Sequence, residues 1–192
     1  MKIILLNGPP RAGKDYAGAA LLEHLPAGTP ILKFAQELKE RTHALYRLWD
    51  HVNSCPFAHD HFEDRKDTPL VEFEGLTPRA AYIAVSEKLI KPLHGERIFG
   101  EWLARRIDQL EVDTVVITDS GFVPEAEVLV EKFGAENCLL ARIHREGYTF
   151  AGDSRSYLDL SHLNVQCTDI QNDGTDSFRT SLAAALRPAS PA

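Results

Sequence analysis

Near its start the chain combines two glycines, a lysine and an acid in one short motif. After an apolar run at residues 3–6, it reads Gly-Pro-Pro-Arg-Ala-Gly-Lys-Asp, the spacing Gly-x-x-x-x-Gly-Lys. Such glycines let the backbone curl so that successive N–H groups point inward, and the lysine adds a positive charge. The motif predicts a phosphate-binding loop for ATP, whose nucleotide-binding residues are Gly8, Pro9, Pro10, Arg11, Ala12, Gly13, Lys14, Asp15 and Tyr16.

The elements on either side of this loop support that interpretation. Residues 3–6 are continuously apolar, as expected for a strand buried on both faces of a parallel sheet. Residues 15–25 have helical spacing, so the positive end of a helix would face the same phosphates. Where such loops normally have Ser or Thr for Mg²⁺, this chain has Asp15, which we predict takes that role. The alternative is a Gly-Pro turn before an ordinary helix.

Composition limits the class of protein. The 192 residues are 44% hydrophobic, enough for one good core, and the net charge is −7. A surface that is basic overall, as nucleic-acid binding favours, is therefore excluded, although a local arginine-lined groove is not. Three scattered cysteines indicate reduced thiols in an intracellular compartment. No apolar run approaches 18 residues, so we expect a cytoplasmic protein with neither signal peptide nor membrane partner.

Hydrophobic patterning predicts alternating strands and helices. Predicted strands lie at residues 3–6, 31–34, 113–118, 137–143 and 163–168, and helices at 15–25, 35–50, 77–90, 96–110, 124–133 and 176–186. Residues 51–76 are polar and irregular, and residues 188–192 are a frayed tail. The alternation predicts one α/β domain over residues 1–187, a three-layer α/β/α arrangement around a mainly parallel sheet.

Further short motifs resemble those of the bacteriophage deoxynucleoside monophosphate kinases, which are P-loop kinases related in fold to adenylate and thymidylate kinases. The resemblance covers roughly residues 2–130 and is carried by residues 8–15, Phe34-Ala35, Leu38-Lys39, Lys66-Asp67, Thr77-Pro78-Arg79, Ser86-Glu87, Phe99-Gly100 and Asp119-Ser120-Gly121-Phe122 with Glu125. That family also has Asp after the loop lysine, usually followed by Thr where this chain has Tyr16.

The resemblance implies a P-loop nucleoside-monophosphate-kinase-like fold, with ATP as donor, Mg²⁺ as metal and an acceptor side built from about residues 35–110. One branch of the family phosphorylates the hydroxymethyl group of 5-hydroxymethyluracil in phage DNA, a step towards hypermodified thymidines. We expect an ATP-dependent phosphotransferase with that acceptor, acting in the cytoplasm of a phage-infected host. The alternative is a deoxynucleoside monophosphate kinase, and a homodimer is left open.

The choice of acceptor depends on Gly121 and Asp119. Deoxynucleoside monophosphate kinases have arginine where this chain has Gly121, and an arginine would offer a bidentate cation to a phosphate acceptor. A hydroxyl acceptor arrives protonated and benefits from a carboxylate. We predict that Asp119 is that base, or binds Mg²⁺ through water; the alternative is an N-cap for the helix after Pro124. Because an arginine from elsewhere in the chain can compensate for the one missing at position 121, both acceptors stay possible.

The other candidate residues are spread along the chain. With Lys14 and Asp119, the predicted catalytic residues are Arg79 and Arg155, and the metal ligands are Asp15 and Asp119. The residues predicted to bind the acceptor are Phe34, Lys39, Lys66, Asp67, Arg79, Glu87 and Gly121. The alternatives are ordinary surface arginines at 79 and 155, and a solvated charged loop around Lys66 and Asp67.

Two further interpretations are disfavoured. Cys55, His59 and His61, with Asp60, have residue types that bind zinc, but without a second cysteine pair the spacing favours a polar loop. A nucleotide-binding module without catalysis would not need the loop lysine, the carboxylates and several arginines together.

Overall fold

The computed structural model describes residues 1–185, which form a five-stranded sheet flanked by helices. The sheet strands are β1 (Lys2–Asn7), β2 (Ile31–Leu32), β5 (Thr114–Ser120), β6 (Cys138–His144) and β7 (Gln166–Gln171), and a separate ribbon pairs β3 (Trp49–Asp50) with β4 (Cys55–Pro56). The helices are α1 (Lys14–Leu21), α2 (Gln36–Leu45), α3 (Pro78–Val85), α4 (Lys91–His94), α5 (Ile98–Asp108), α6 (Val123–Phe133) and α7 (Asp176–Ala185).

All neighbouring strands of the large sheet are parallel, in the order β2–β5–β1–β6–β7. In the central strand β1, Ile3 pairs with Val115 of β5 on one side and with Cys138 of β6 on the other. The carboxyl ends of these parallel strands therefore meet at one side of the sheet, which we call the carboxyl edge, where open α/β folds bind ligands. The predicted α/β class with a mainly parallel sheet is confirmed.

Helices cover both faces of the sheet. Successive side chains of a strand point to opposite faces, so Ile3 and Leu5 pack in the cluster that includes α5 and α6, whereas Ile4 and Leu6 pack with α1 and α7. All four side chains are fully buried. The continuous apolar run in β1 thus reflects burial on both faces, and the three-layer prediction is confirmed.

A third apolar cluster is formed by the stretch of chain between β2 and β5, which is mostly helical. Its aromatic members are Phe62, Phe73, Tyr82, Phe99 and Trp102. Phe62 and Phe73 are only 2% and 0% exposed, although they come from the segment 51–76 that the sequence predicts to be polar and irregular. That segment therefore supplies part of a core, which the sparse pattern of single aromatic residues does not reveal.

The predicted helix over residues 35–50 is too long. Helix α2 ends at Leu45, and Trp49 lies in the β3–β4 ribbon. Arg47 adopts the left-handed backbone region (φ 57°), and the Leu48 N–H donates to the His43 carbonyl oxygen at 2.8 Å. This turn ends the helix in the manner of a C-terminal cap. The predicted last strand is also displaced, from residues 163–168 to Gln166–Gln171.

The helix that follows Thr77 runs past its predicted end. As predicted, Thr77 is the N-cap, and its hydroxyl oxygen accepts the Ala80 N–H at 3.1 Å. A π-helical turn at Ser86–Ile90 then leads into α4, with the Lys91 N–H donating to the Ser86 carbonyl. Pro92 is the second residue of α4, directly after this π-helical turn, and it does not stop the helix.

Among residues 1–185, none of the helices is both long and apolar enough to cross a membrane. The domain bounds 1–187 stay a prediction. The predicted tail at 188–192 and the end of the predicted helix 176–186 lie outside the described residues.

Candidate functional site

The predicted phosphate-binding loop connects β1 to α1 at the carboxyl edge. Its backbone enters the left-handed region at Arg11 (φ 63°) and Gly13 (φ 100°). A side chain at Gly8 would place its Cβ 2.6 Å from the Ile143 carbonyl oxygen, and one at Gly13 would come within 2.5 Å of the Asn172 side-chain nitrogen. Both glycines are therefore required by close neighbours on β6 and beyond β7, and Gly13 also by its backbone conformation.

This loop carries hydrogen-bond donors that lack protein acceptors. Within residues 1–185, the backbone N–H groups of Gly13, Lys14, Asp15 and Tyr16 donate to no other group, whereas the Ala17 N–H donates to the Gly13 carbonyl at 2.8 Å. Unpaired N–H groups at the start of a helix, together with its dipole, attract an anion. The loop therefore fits the phosphates of a nucleotide.

Lys14 folds back over the same loop. Its side-chain Nζ donates to the carbonyl oxygens of Gly8 at 2.7 Å and Pro9 at 2.9 Å, and the residue is 9% exposed. Burial, helped by the Arg155 guanidinium, lowers the pKa of Lys14 to about 8. Within the described residues Lys14 has no carboxylate in ion-pair contact, so a phosphate bound in the loop would supply the missing counter-charge.

Two neighbours hold Asp15 in the first turn of α1. The Lys33 Nζ lies 3.1 Å from its Oδ1, and the Thr118 hydroxyl donates to the same oxygen at 3.0 Å. Burial would raise the pKa of Asp15, but the attraction of Lys33 and these hydrogen bonds outweigh it and lower the pKa. The side chain is still 77% exposed, so its other oxygen is free to bind the water shell of an ion.

The outer part of the loop is fixed by distant residues. Tyr16 is 53% exposed, and its ring stacks on Phe178 of α7 with centroids 6.2 Å apart. The Ala12 carbonyl accepts a hydrogen bond from the Asn172 side chain at 2.7 Å, and the Arg11 carbonyl accepts one from Arg145 at 3.2 Å. Sequence reasoning missed Asn172, because a single asparagine about 160 residues away gives no local signal.

Asp119 is the penultimate residue of β5, at the carboxyl edge beside the loop. Its two oxygens accept the backbone N–H groups of Phe34 at 2.8 Å and Ala35 at 3.1 Å. Phe122, not Asp119, occupies the N-cap position of α6. The N-cap alternative is therefore wrong for α6, and Asp119 instead fixes the segment that leads into α2.

The prediction that Phe34 binds the acceptor needs correction. Its ring is only 3% exposed and packs in the core cluster between the sheet and α5. Its contribution to the site is the backbone N–H that orients Asp119.

The cations predicted on the acceptor side are paired with carboxylates. Lys39 and Lys66 both contact Glu63, in the case of Lys39 at 2.8 Å. Burial alone would raise the pKa of Glu63, but the two lysines outweigh it and lower the pKa to about 2. The Arg79 Nε lies 2.6 Å from an oxygen of Asp67. The structure thus brings the predicted lysines and arginine to one region, but as ion pairs.

Glu87 belongs to a separate pair on the π-helical turn. Its Oε1 lies 2.9 Å from the Lys91 Nζ and accepts the Ser86 hydroxyl at 3.0 Å. Lys91 also contacts Glu96 at 3.0 Å, and its Nζ lies 5.0 Å from the centre of the Phe122 ring. Glu87 therefore orients Lys91 beside the segment that follows β5.

Arg155 reaches the carboxyl edge from the long connection after β6. Its guanidinium binds both oxygens of Asp153, at 2.8 and 2.6 Å. Its aliphatic stem crosses Gly121, where an added Cβ would lie 2.6 Å from the Arg155 Cγ. The charge is close enough to Lys14 and Asp119 to interact with both electrostatically. Glycine at 121 thus leaves room for an arginine that comes from another part of the chain.

Sequence reasoning missed Glu125 as a site residue in its own right. It lies in the first turn of α6, is 4% exposed, and has Asp119, Lys91 and Arg155 among its charged neighbours. Burial, reinforced by the negative charge of Asp119, raises the pKa of Glu125 to about 8. The signal in the sequence was its place in the motif after Asp119, but that motif does not reveal that the carboxyl group is buried.

The weak zinc motif does not form a metal site. In the part of the chain that the structure describes, no three His, Cys, Asp or Glu side chains converge to hold a metal. His61 stacks on Phe57 with ring centroids 3.9 Å apart, and His59 lies 3.7 Å from Glu40. The interpretation as a polar loop agrees with these contacts.

Comparison with known proteins adds little beyond the general architecture. No protein-family model and no curated protein sequence matches this chain. Two similar solved structures are a sugar kinase from a Janibacter species (12% identity, 96% of this chain and 91% of that chain, TM-score 0.44) and a gluconokinase from Sinorhizobium meliloti (12% identity, 96% and 91%, TM-score 0.47). At this level of similarity the matches carry no argument about activity, which must come from the site itself.

Proposed function

We propose that this protein is an ATP-dependent phosphotransferase. The observation that carries the proposal is the loop between β1 and α1, where, within residues 1–185, four backbone N–H groups at the start of α1 lack an acceptor and the Lys14 ammonium group folds back over the loop. Donors fixed before the reaction stabilise charge on a transferring phosphoryl group without having to reorganise. ATP is the donor whose phosphates this loop would hold.

For the metal we propose Asp15 and Asp119. Both carboxylates lie at the carboxyl edge next to Lys14, and each retains lone pairs beyond the hydrogen bonds described above. Oxygen ligands suit Mg²⁺, which usually keeps several waters and takes the rest of its ligands from substrate phosphates. When bound with ATP, the ion neutralises negative charge on the β and γ phosphates.

A hydroxyl group is the acceptor that the charges favour. A monophosphate acceptor is an anion and needs free cations, but on the acceptor side Lys39 and Lys66 already share Glu63 and Arg79 is paired with Asp67. A hydroxyl arrives neutral and needs a carboxylate to take its proton, and Asp119 and Glu125 lie at this edge. On the family resemblance, we propose the 5-hydroxymethyl group of 5-hydroxymethyl-deoxyuridine in phage DNA, within the host cytoplasm.

One observation favours the second candidate, a deoxynucleoside monophosphate kinase. Glycine at position 121 offers no cation to a phosphate acceptor, yet the Arg155 stem lies directly over that glycine. Arg155 therefore brings a guanidinium to the same edge. It is held by Asp153 in the structure, so it would have to leave that carboxylate to bind an acceptor phosphate.

The test uses ATP labelled in its γ-phosphate with three kinds of acceptor in parallel, namely 5-hydroxymethyluracil DNA, the same DNA with thymine, and each deoxynucleoside monophosphate. A reaction without acceptor is the blank. We expect label only in the modified DNA, and none with Lys14→Ala. Label in deoxynucleoside diphosphates, with none in modified DNA, would establish the second candidate. No transfer to any acceptor would contradict the phosphotransferase proposal.

A further inference from the structure

Glu125 is a buried carboxyl group without a hydrogen-bond partner. It is the third residue of α6, where a glutamate commonly reaches back to the backbone N–H at the N-cap. Here, within residues 1–185, neither of its oxygens accepts such a bond or forms an ion pair, although the residue is 4% exposed. Buried polar groups are normally paired, so the exception at Glu125 requires an explanation.

The explanation lies in where the carboxyl group faces. Among residues 1–185, Ser120 Oγ is the side-chain atom that is both fully enclosed and unpaired. The Glu125 oxygens, which are also unpaired, are therefore not fully enclosed. The charged groups around them are Asp119 on β5, Lys91 and Glu96 beside α4, and Arg155 from the connection after β6.

The backbone of Glu125 is also held in place by α5. Gly100 of α5 packs directly on its backbone, where an added Cβ would lie 2.5 Å from the Glu125 carbonyl oxygen. This close approach of α5 and α6 holds the first turn of α6 against the end of β5. A rigid main chain with an unpaired carboxyl group is the arrangement expected of a group that acts on a substrate.

Asp119 is less suited to accept a proton. Both of its oxygens already accept backbone N–H groups, from Phe34 and Ala35. Those bonds hold the carboxylate against the segment that leads into α2. Glu125 has no such bonds and lies in a drier environment.

We propose that Glu125 is the catalytic base that accepts the proton of the acceptor hydroxyl. This inference rests on the proposed function. In the step, the acceptor O–H bond breaks and its proton goes to a Glu125 oxygen, while the acceptor oxygen forms a bond to the γ-phosphorus. The bond between that phosphorus and the β–γ bridging oxygen breaks, and ADP leaves with the electron pair. Glu125 then releases the proton to water.

The proposal has a kinetic signature. A base must be ionised before it can act, and burial raises the pKa of Glu125 to about 8. The value of kcat/KM for the acceptor should therefore rise about 20-fold between about pH 6 and about pH 7.5, following the ionised fraction. Below pH 8 the Lys14 ammonium remains mostly charged, so it does not cause that rise.

The experiment compares wild type, Glu125→Gln and Glu131→Gln with γ-labelled ATP and an oligonucleotide containing 5-hydroxymethyluracil. Glu131 lies on the exposed face of the same helix, paired with Arg97, and serves as the matched control. We expect Glu125→Gln to lower kcat by ~10² to 10⁴-fold, to flatten the pH profile, and to leave ATP binding and the fold unchanged. Glu131→Gln should retain both rate and profile.

The outcomes separate the two proposals. Wild-type transfer to the oligonucleotide, with an equal rate and pH profile in Glu125→Gln, would overturn the role of Glu125 and leave the phosphotransferase proposal intact. Label in free nucleotides alone would overturn Glu125 as a base, because a phosphate acceptor needs none, while keeping the P-loop kinase. No transfer from ATP by the wild type would overturn both.

Discussion

The loop proposed to hold phosphate and the surface proposed for the acceptor lie on the same edge of the sheet, yet they are built differently. The loop comes from one continuous stretch, residues 8–16, and within residues 1–185 the N–H groups of Gly13, Lys14, Asp15 and Tyr16 lack an acceptor. The acceptor surface gathers Lys39, Asp67, Asp119 and Arg155 from separate stretches of the chain. Its cations are paired with carboxylates, whereas Lys14 contacts only carbonyl oxygens.

This difference shows how a site can be selective on one side only. A loop with unpaired donors binds any suitable phosphate strongly, because the cost of orienting the donors is met when the protein folds. On the acceptor side, a ligand that is itself an anion must separate ion pairs before it can bind. A neutral hydroxyl does not, so under the proposed function the pairing of charges would favour a hydroxyl over a phosphate acceptor.

The largest effect is expected from a change in the loop, at Lys14. We expect Lys14→Ala to reduce transfer from ATP about 10³-fold, because the loop loses its charge for the transferring phosphoryl group. The variant should be at least as stable as the wild type. Burial lowers the pKa of Lys14 to about 8, which means that burying its positive charge destabilises the folded protein. Turnover and thermal denaturation are the measurements. Lys132→Ala, on the surface beside Asp108, is the control, and near wild-type turnover in Lys14→Ala would exclude the P-loop mechanism.

The buried carboxyl group on the acceptor side should affect stability. Burial raises the pKa of Glu125 to about 8, so between about pH 5.5 and pH 8 the folded protein keeps a proton that the unfolded chain releases. Stability should therefore fall as pH rises, by about 1 kcal/mol per pH unit, and the cost is complete above pH 8. Glu125→Gln should reduce this slope in urea denaturation, whereas Glu131→Gln should not. Equal slopes in all three proteins would show that Glu125 ionises normally.

The contact of Arg155 with Gly121 can be tested by a double-mutant cycle. Gly121→Ala should lower kcat/KM for the acceptor about 10- to 100-fold, because its Cβ would overlap the Arg155 stem and displace the guanidinium. In an Arg155→Ala background, the same Gly121→Ala change should have little further effect, since the Cγ and Cδ atoms are removed and the Cβ contact that remains is 3.1 Å. Additive losses in kcat/KM would mean that the glycine acts independently of Arg155.

The proposed metal ligand gives a smaller effect. Asp15→Asn should raise the Mg²⁺ concentration needed for half-maximal transfer about tenfold, while ATP affinity without metal changes little. Lys33→Met serves as the comparison, because it removes the ion-pair partner of Asp15 and leaves the carboxylate in place. If the Mg²⁺ titration of Asp15→Asn matches the wild type, Asp15 is only a first-turn helix residue.

The smallest effect should come from the Arg79–Asp67 pair, whose side chains are 46% and 61% exposed. Asp67→Asn should change the free energy of unfolding by less than about 1 kcal/mol, as for most exposed ion pairs. It frees a guanidinium on the acceptor side, so trace phosphorylation of deoxynucleoside monophosphates should increase. A decrease would show that the pair itself holds the acceptor.

Some features of this protein follow from the sequence alone, because they depend on neighbours along the chain. The order of strands and helices, the loop of residues 8–16 and the N-cap at Thr77 are local patterns of apolar spacing, glycine and hydrogen-bonding side chains. The end of α2 was less predictable, since Trp49 continues the helical spacing but the chain turns at Arg47.

Only the tertiary structure decided how the acceptor side is arranged. Nothing near Gly121 in the sequence indicates that Arg155 occupies its space, and nothing near Glu125 indicates that its carboxyl group is buried and unpaired. Burial and pairing of charges depend on which distant segments meet, here α5 against α6 and the connection after β6 against the end of β5. Because those contacts set the charge and pKa of each group, the sequence predicts the glycine-rich loop of residues 8–16, whereas only the packing decides what surrounds Asp119 and Glu125.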